Sequence, residues 1–194
     1  MKRLALDGPV VFLDFDGVMG AGRVWAQNAS KRWTCPAGWV DPAMVARLNR
    51  LVRRSGARVV VSSSWRRYLG ADGVAAVLWA CGFVGEVLDA TPVIPGDPPS
   101  WRGREIDRWL MAHPRVRAWV VLDDLAVSVD LGRFVRTDTQ RGLTDEDVER
   151  AVAILSSTPL GSLFSTSAEV PVRPEAPGGG APAAPSRPAP SAGQ

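Results

Sequence analysis

Val10-Val11-Phe12-Leu13-Asp14-Phe15-Asp16-Gly17-Val18 is the stretch whose reading decides the fold. Its first four residues form a short apolar run rich in β-branched side chains, the pattern of a strand buried on both faces in a parallel sheet. Open α/β sheets bind ligands beyond the carboxyl ends of their strands, which is where Asp14 and Asp16 emerge. Alternation along an extended chain lets the two aspartates point the same way with Phe15 turned aside. Gly17 then lets the chain turn away sharply. Two carboxylates aimed at one point repel unless a cation lies between them, and a hard divalent ion such as Mg2+ with oxygen ligands fills that role. The pair also suits phosphoryl transfer. One aspartate attacks phosphorus to form an aspartyl-phosphate, while the other gives a proton to the leaving oxygen and later takes one from water. Taken alone, the motif is also compatible with an Asp pair that only caps a turn. An EF-hand loop fits poorly, because its glycine stands sixth and here it stands fourth.

The 194 residues have room for one domain with a good core, and the 46% apolar content is that of a globular protein. A formal charge of +3 is compatible with an anionic partner without requiring one. Cys35 and Cys81 lack CxxC spacing, so neither a disulfide framework nor a zinc site is indicated. No run approaches a membrane span, and the N-terminal MKRLALDGPV breaks at Asp7-Gly8-Pro9 without the apolar core of a signal peptide. The expectation is a soluble, cytoplasmic protein.

Residues 19–40 are rich in Gly and Trp, including Trp25, Trp33 and Trp39, and predict a flap beside the site or a loop pinned to the core. Asp41-Pro42 starts a helix that Ser55-Gly56 ends. A strand over Arg58–Val61 stops at Ser62-Ser63-Ser64, whose hydroxyls can bond a phosphate oxygen or cap the helix expected from Arg66 to Ala80. A third strand is expected over Val84–Leu88, then an irregular link, then an amphipathic helix over Arg102–Ala112. Arg102 and Arg104 stand in that helix's first turn, against its dipole, which points either to something more negative nearby or to a solvated pair. Trp119–Leu122 is another buried strand, and it runs into Asp123-Asp124, adding carboxylates for the same cation. A last strand over Phe134–Thr137 and a closing helix to about Ser156 follow, with Thr144 and Asp147 spaced as a capping box. From about residue 167 the chain turns to Pro, Gly, Ala and Ser, a tail expected to be disordered.

Strand-DxDG, strand-Ser, basic residue on a helix, strand-DD: this order resembles the haloacid dehalogenase (HAD) superfamily of phosphohydrolases. VSSSWR, RGREIDRWL before VVLDD, and RFVRTDTQRGLTDEDVERAVAIL are similar to the small HAD domains of Swiss Army Knife RNA repair proteins. The resemblance implies a three-layer Rossmann-like fold around a parallel sheet, in a domain of about residues 1–160 without a large cap. It implies Asp14 as nucleophile and Asp16 as general acid/base, with Mg2+ held by Asp14, the Asp16 carbonyl, Asp123 and Asp124. Ser63, or Ser62, is the phosphate-binding hydroxyl, with Ser64 and Gly17 beside the substrate. Arg102, or Arg104, replaces the usual lysine as a fixed counter-charge. The activity expected is a Mg2+-dependent phosphatase, and an uncapped site suits RNA or DNA ends. A small phosphometabolite, transfer to an acceptor other than water, and a non-catalytic module that binds phosphorylated ends stay open.

Overall fold

In the computed structural model, Val10–Leu13 is strand β1, with all four residues buried. The structure describes residues 8–22, 36–95 and 102–157, all within the unit Met1–Gly161. Trp25, Trp33, Cys35 and the tail lie outside the described residues. The other strands are β2 (Arg58–Val61), β3 (Val87–Ala90), β4 (Trp119–Asp123) and β5 (Phe134–Arg136). They form one sheet in the order β3-β2-β1-β4-β5, parallel at every pairing. Leu13 is level with Val61 on one side and with Leu122 on the other. That register brings Asp14, Ser62 and Asp123 to one rim of the sheet.

Among the described residues, four helices cover the two faces: α1 (Pro42–Ser55), α2 (Arg66–Ala80), α3 (Arg102–Ala112) and α4 (Asp145–Ser157). Odd-numbered residues of β1 and β2, with Val120 and Leu122, pack on apolar residues of α1, α2 and α4. Val10, Phe12, Val60 and Val121 face the other way, onto Ile106 and Trp109 of α3 with Val116 and Val127. Period-two alternation thus gives each strand two apolar faces, and the result is the expected three-layer α/β architecture. Among the described residues there is no cap domain.

Local signals set the helix ends. Asp41 caps α1 by accepting from the Ala43 N–H at 2.8 Å, and Gly56, at φ 67°, closes it in the left-handed conformation. The capping box of α4 forms as its spacing predicts: Asp147 N–H donates to the Thr144 hydroxyl, and Thr144 N–H donates to Asp147 Oδ2 at 2.9 Å.

Two elements differ from expectation by more than a residue at one end. β3 begins at Val87 rather than at Val84, because the Val84 N–H is taken by the Asn49 side chain of α1, which also donates to the Gly82 carbonyl. The expected helix over Arg66–Ala80 is interrupted at Gly70, whose φ of 66° and ψ of 176° are not helical. Only glycine takes that conformation at low cost.

Thr144→Ala removes one donor from the buried Asp147 carboxylate and the cap from α4. It is expected to cost about 1–2 kcal/mol of stability. Denaturant titration should show a lower midpoint with an unchanged slope.

Candidate active site

Asp14 directly follows β1, Asp123 ends β4, and Asp124 follows Asp123. Because these two strands are neighbours in level register, one carboxylate oxygen from each of the three aspartates can lie within 4.8 Å of the others. All three side chains are buried. Like charges gathered in a poorly solvated place need compensation, and α3 supplies it. Arg102, its first residue, is itself buried, lies 2.8 Å from Asp14 Oδ2 and also ion-pairs with Asp123. Gly103 makes that approach feasible: a Cβ there would stand 2.2 Å from the Ser128 carbonyl, so a larger residue would push the start of α3 off the loop after β4. Arg104, one turn position away, is exposed and lines a shallow surface groove with Ile94, Asp107, Arg108 and Met111. Of the two arginines, Arg102 is the one brought to the carboxylates.

Burial sets the electrostatics. It raises the Asp14 carboxyl above the ordinary range, against the pull of Arg102, the Ser63 hydroxyl and the Phe15 N–H. Asp123 is pushed up to about 7, first by burial and then by the charge of Asp14, with Arg102 opposing. For Arg102, burial works against the charge but the two carboxylates outweigh it, so the guanidinium stays protonated.

Gly17 is constrained twice. Its φ is +73°, and an added Cβ would lie 2.3 Å from the Asp124 carboxylate. Asp124 is held by the Thr139 hydroxyl at 2.8 Å, and Thr137 donates to the Gly17 carbonyl at 2.8 Å. These threonines fix the turn after β1 against the end of β5, a role that the sequence reading did not assign to them.

Of the three serines, Ser63 is the one whose hydroxyl lies near enough to Asp14 to oppose the rise of its carboxyl. Its oxygen also accepts the Trp65 N–H at 3.3 Å. Ser62 is fully buried, and its hydroxyl meets no hydrogen-bond partner. Ser64 is half-buried. The loop that carries them is clamped by Arg66, which donates to the carbonyls of Ser62, Ser63 and Thr91 and forms a buried ion pair with Glu105 of α3. Glu105 lies one helical turn from Arg102, so one ion pair ties the serine loop to the helix bearing the counter-charge. The sequence reading missed this pair. Arg66 showed the signal used for Arg102, a basic residue in the first turn of a helix.

Asp16 takes a different place from that expected of an extended DxD. β1 stops at Leu13, and the chain coils so that the N–H groups of Val18, Met19 and Gly20 all donate to the Phe15 carbonyl. The Asp16 side chain therefore lies outside the three-carboxylate cluster, and its Oδ1 accepts the indole N–H groups of Trp39 (3.0 Å) and Trp65 (3.2 Å). His113 stacks on Trp109 and bonds its carbonyl, so it takes no part in a serine-based triad.

The acidic cluster fits a divalent cation. Its donors are hard carboxylate oxygens, one guanidinium does not balance three such groups, and the buried Asp14 Oδ1 has no hydrogen-bond partner. No helix among the described residues is long and apolar enough to cross a membrane.

Comparison with known proteins agrees with this geometry. A family model described as the HAD domain in Swiss Army Knife RNA repair proteins matches residues 10–148, from the first residue of β1 into α4. No curated protein and no solved structure matches significantly. With well over half of the chain under that match, this protein belongs to the HAD superfamily, in the family of HAD domains found in Swiss Army Knife RNA repair proteins.

Proposed function

We propose that the protein is a Mg2+-dependent phosphatase that works through an aspartyl-phosphate on Asp14, with phosphorylated RNA or DNA ends as its substrate class. HAD membership together with a buried acidic cluster points to phosphohydrolase chemistry. The observation that carries the finer reading is the placement of Arg102 between Asp14 and Asp123. A carboxylate beside a permanent cation, at the open end of a parallel sheet, can accept a phosphoryl group whose oxygens need neutralising. When bound at Asp14, Asp123 and Asp124, Mg2+ would supply further neutralisation of the phosphate charge.

The chain's own groups divide the remaining work. Asp14 bonds phosphorus as the bond to the leaving oxygen breaks, and Asp16 delivers its proton to that oxygen. Water then attacks phosphorus, Asp14 is released, and Asp16 takes the water's proton, which restores both groups. Ser63 would donate to a phosphate oxygen, a role supported by its nearness to Asp14 and by the hold of Arg66 and Glu105 on its loop. Among the described residues no cap domain covers the rim, which favours a phosphate on a bulky chain such as a nucleic-acid end.

Phosphate release with Mg2+ tests the proposal on an aryl phosphate, nucleotides, and 3′- and 5′-phosphorylated oligonucleotides. The oligonucleotides are expected to be preferred, and Asp14→Asn and chelator are each expected to reduce turnover to background. Turnover that survives Asp14→Asn rejects the covalent route. No turnover with Mg2+ bound makes the protein a binding module instead.

Arg102→Ala should lower kcat by about 10²–10³, read in the same assay. It leaves two buried carboxylates without their counter-ion, so the melting temperature should fall as well.

Cation affinity should depend on pH. Burial and the Asp14 charge push Asp123 up to about 7, so at lower pH the ion must displace a proton. Affinity is expected to fall as pH drops below 7, by about one log unit per pH unit for each raised carboxyl, Asp123 and Asp14, that must lose a proton. Calorimetric titration between pH 5.5 and 8 measures the slope, and a flat profile would rule out Asp123 as a ligand.

A further inference from the structure

We propose that Trp39 and Trp65 are positioning residues for proton transfer: their two indole N–H groups fix the Asp16 carboxylate in the orientation from which it protonates the leaving oxygen. This rests on the phosphatase reading of the site and assigns two residues that the reading does not use.

Both rings are buried, Trp65 fully and Trp39 with 6% exposure. A buried indole N–H needs an acceptor and can only donate. Here two such donors converge on one atom, Asp16 Oδ1. They arrive from separate parts of the chain. Trp39 ends a 3-10 turn, Pro36–Trp39, just before α1, and Trp65 immediately precedes α2. Neither ring is loose. Trp65 packs on Phe15, with ring centroids 4.9 Å apart, and both tryptophans belong to the core on the α1 side of the sheet.

The terminal torsion of an aspartate is otherwise broad. Two fixed donors on one oxygen remove that freedom and determine where the other oxygen stands. The indole is suited to the task because it neither titrates nor accepts, so it cannot exchange protons with the group it orients. An Asp16 that swings would still leave Asp14 able to attack phosphorus, but the leaving oxygen would depart without its proton. The loss should therefore depend on how much the leaving group needs that proton.

The test is kcat/KM for phosphate monoesters whose leaving groups run from activated phenols to simple alcohols. This quantity covers steps up to formation of the aspartyl-phosphate, so the later water attack does not enter. Trp65→Phe and Trp39→Phe keep an aromatic ring but delete the N–H. Trp109→Phe is the control, because its N–H donates to Asp89 on the α3 side of the sheet. The two test variants are expected to lose about tenfold or more on alkyl phosphates and less than about threefold on the most activated phenol. Trp109→Phe should leave the ratio between the two ends of the series unchanged. Equal losses across the series in Trp65→Phe and Trp39→Phe, or no loss, overturn the proposal. Should Trp65→Phe not fold, Trp39→Phe carries the same test. A wild type inactive on every ester overturns the phosphatase reading and this proposal together, whereas an active wild type with parallel losses overturns this proposal alone.

Discussion

Everything at the rim of this sheet depends on burying acid groups beside one another. Asp14, Asp123 and Asp124 sit where water cannot solvate them well, and the fold tolerates this because Arg102 is driven in among them. That requirement reaches outward. α3 must begin close to the loop after β4, which leaves only a hydrogen's width at Gly103. Glu105, on the same helix, must then meet Arg66, which reaches over from the serine loop. The register of β1 against β2 and β4 brings these parts to the same level.

Much of this architecture was legible in the sequence because it depends on short-range chemistry. An apolar run followed by an acid marked β1 and β4 on composition alone. Asp41-Pro42, Ser55-Gly56 and Thr144 with Asp147 marked helix ends through hydrogen bonds that span only a few residues. Arg102 could be suspected because a cation at a helix start opposes the dipole. The family pattern then ordered these pieces across most of the described chain.

What escaped the sequence was decided across long separations. Trp65 to Asp16 and Arg66 to Glu105 join residues with no sequence relation, so no local pattern announces them. Asp14 and Asp16 look equivalent on paper, yet the coil that begins at Phe15 gives them different surroundings. One lies among carboxylates and a guanidinium, the other under two indoles. The start of β3 was displaced because a side chain of α1, Asn49, competes for the Val84 amide, and strand propensity carries no information about that competitor. The choice between Ser62 and Ser63 likewise depends on which way each side chain leaves the rim, which the register of the assembled sheet determines.

The central place of β1 also bears on how the chain can come together. Val10 pairs with Trp119, and α1 packs on α4, so β1 and α1 meet partners from the latter part of the chain. Synthesis brings out the apolar stripe of α1 (Met44, Leu48, Leu51) before α4, its helical neighbour, exists to cover it. Contacts of such high sequence separation carry a loop-closure cost that slows folding relative to local contacts. The acidic cluster at the middle of the sheet therefore exists only once β4, from the latter part of the chain, has joined β1.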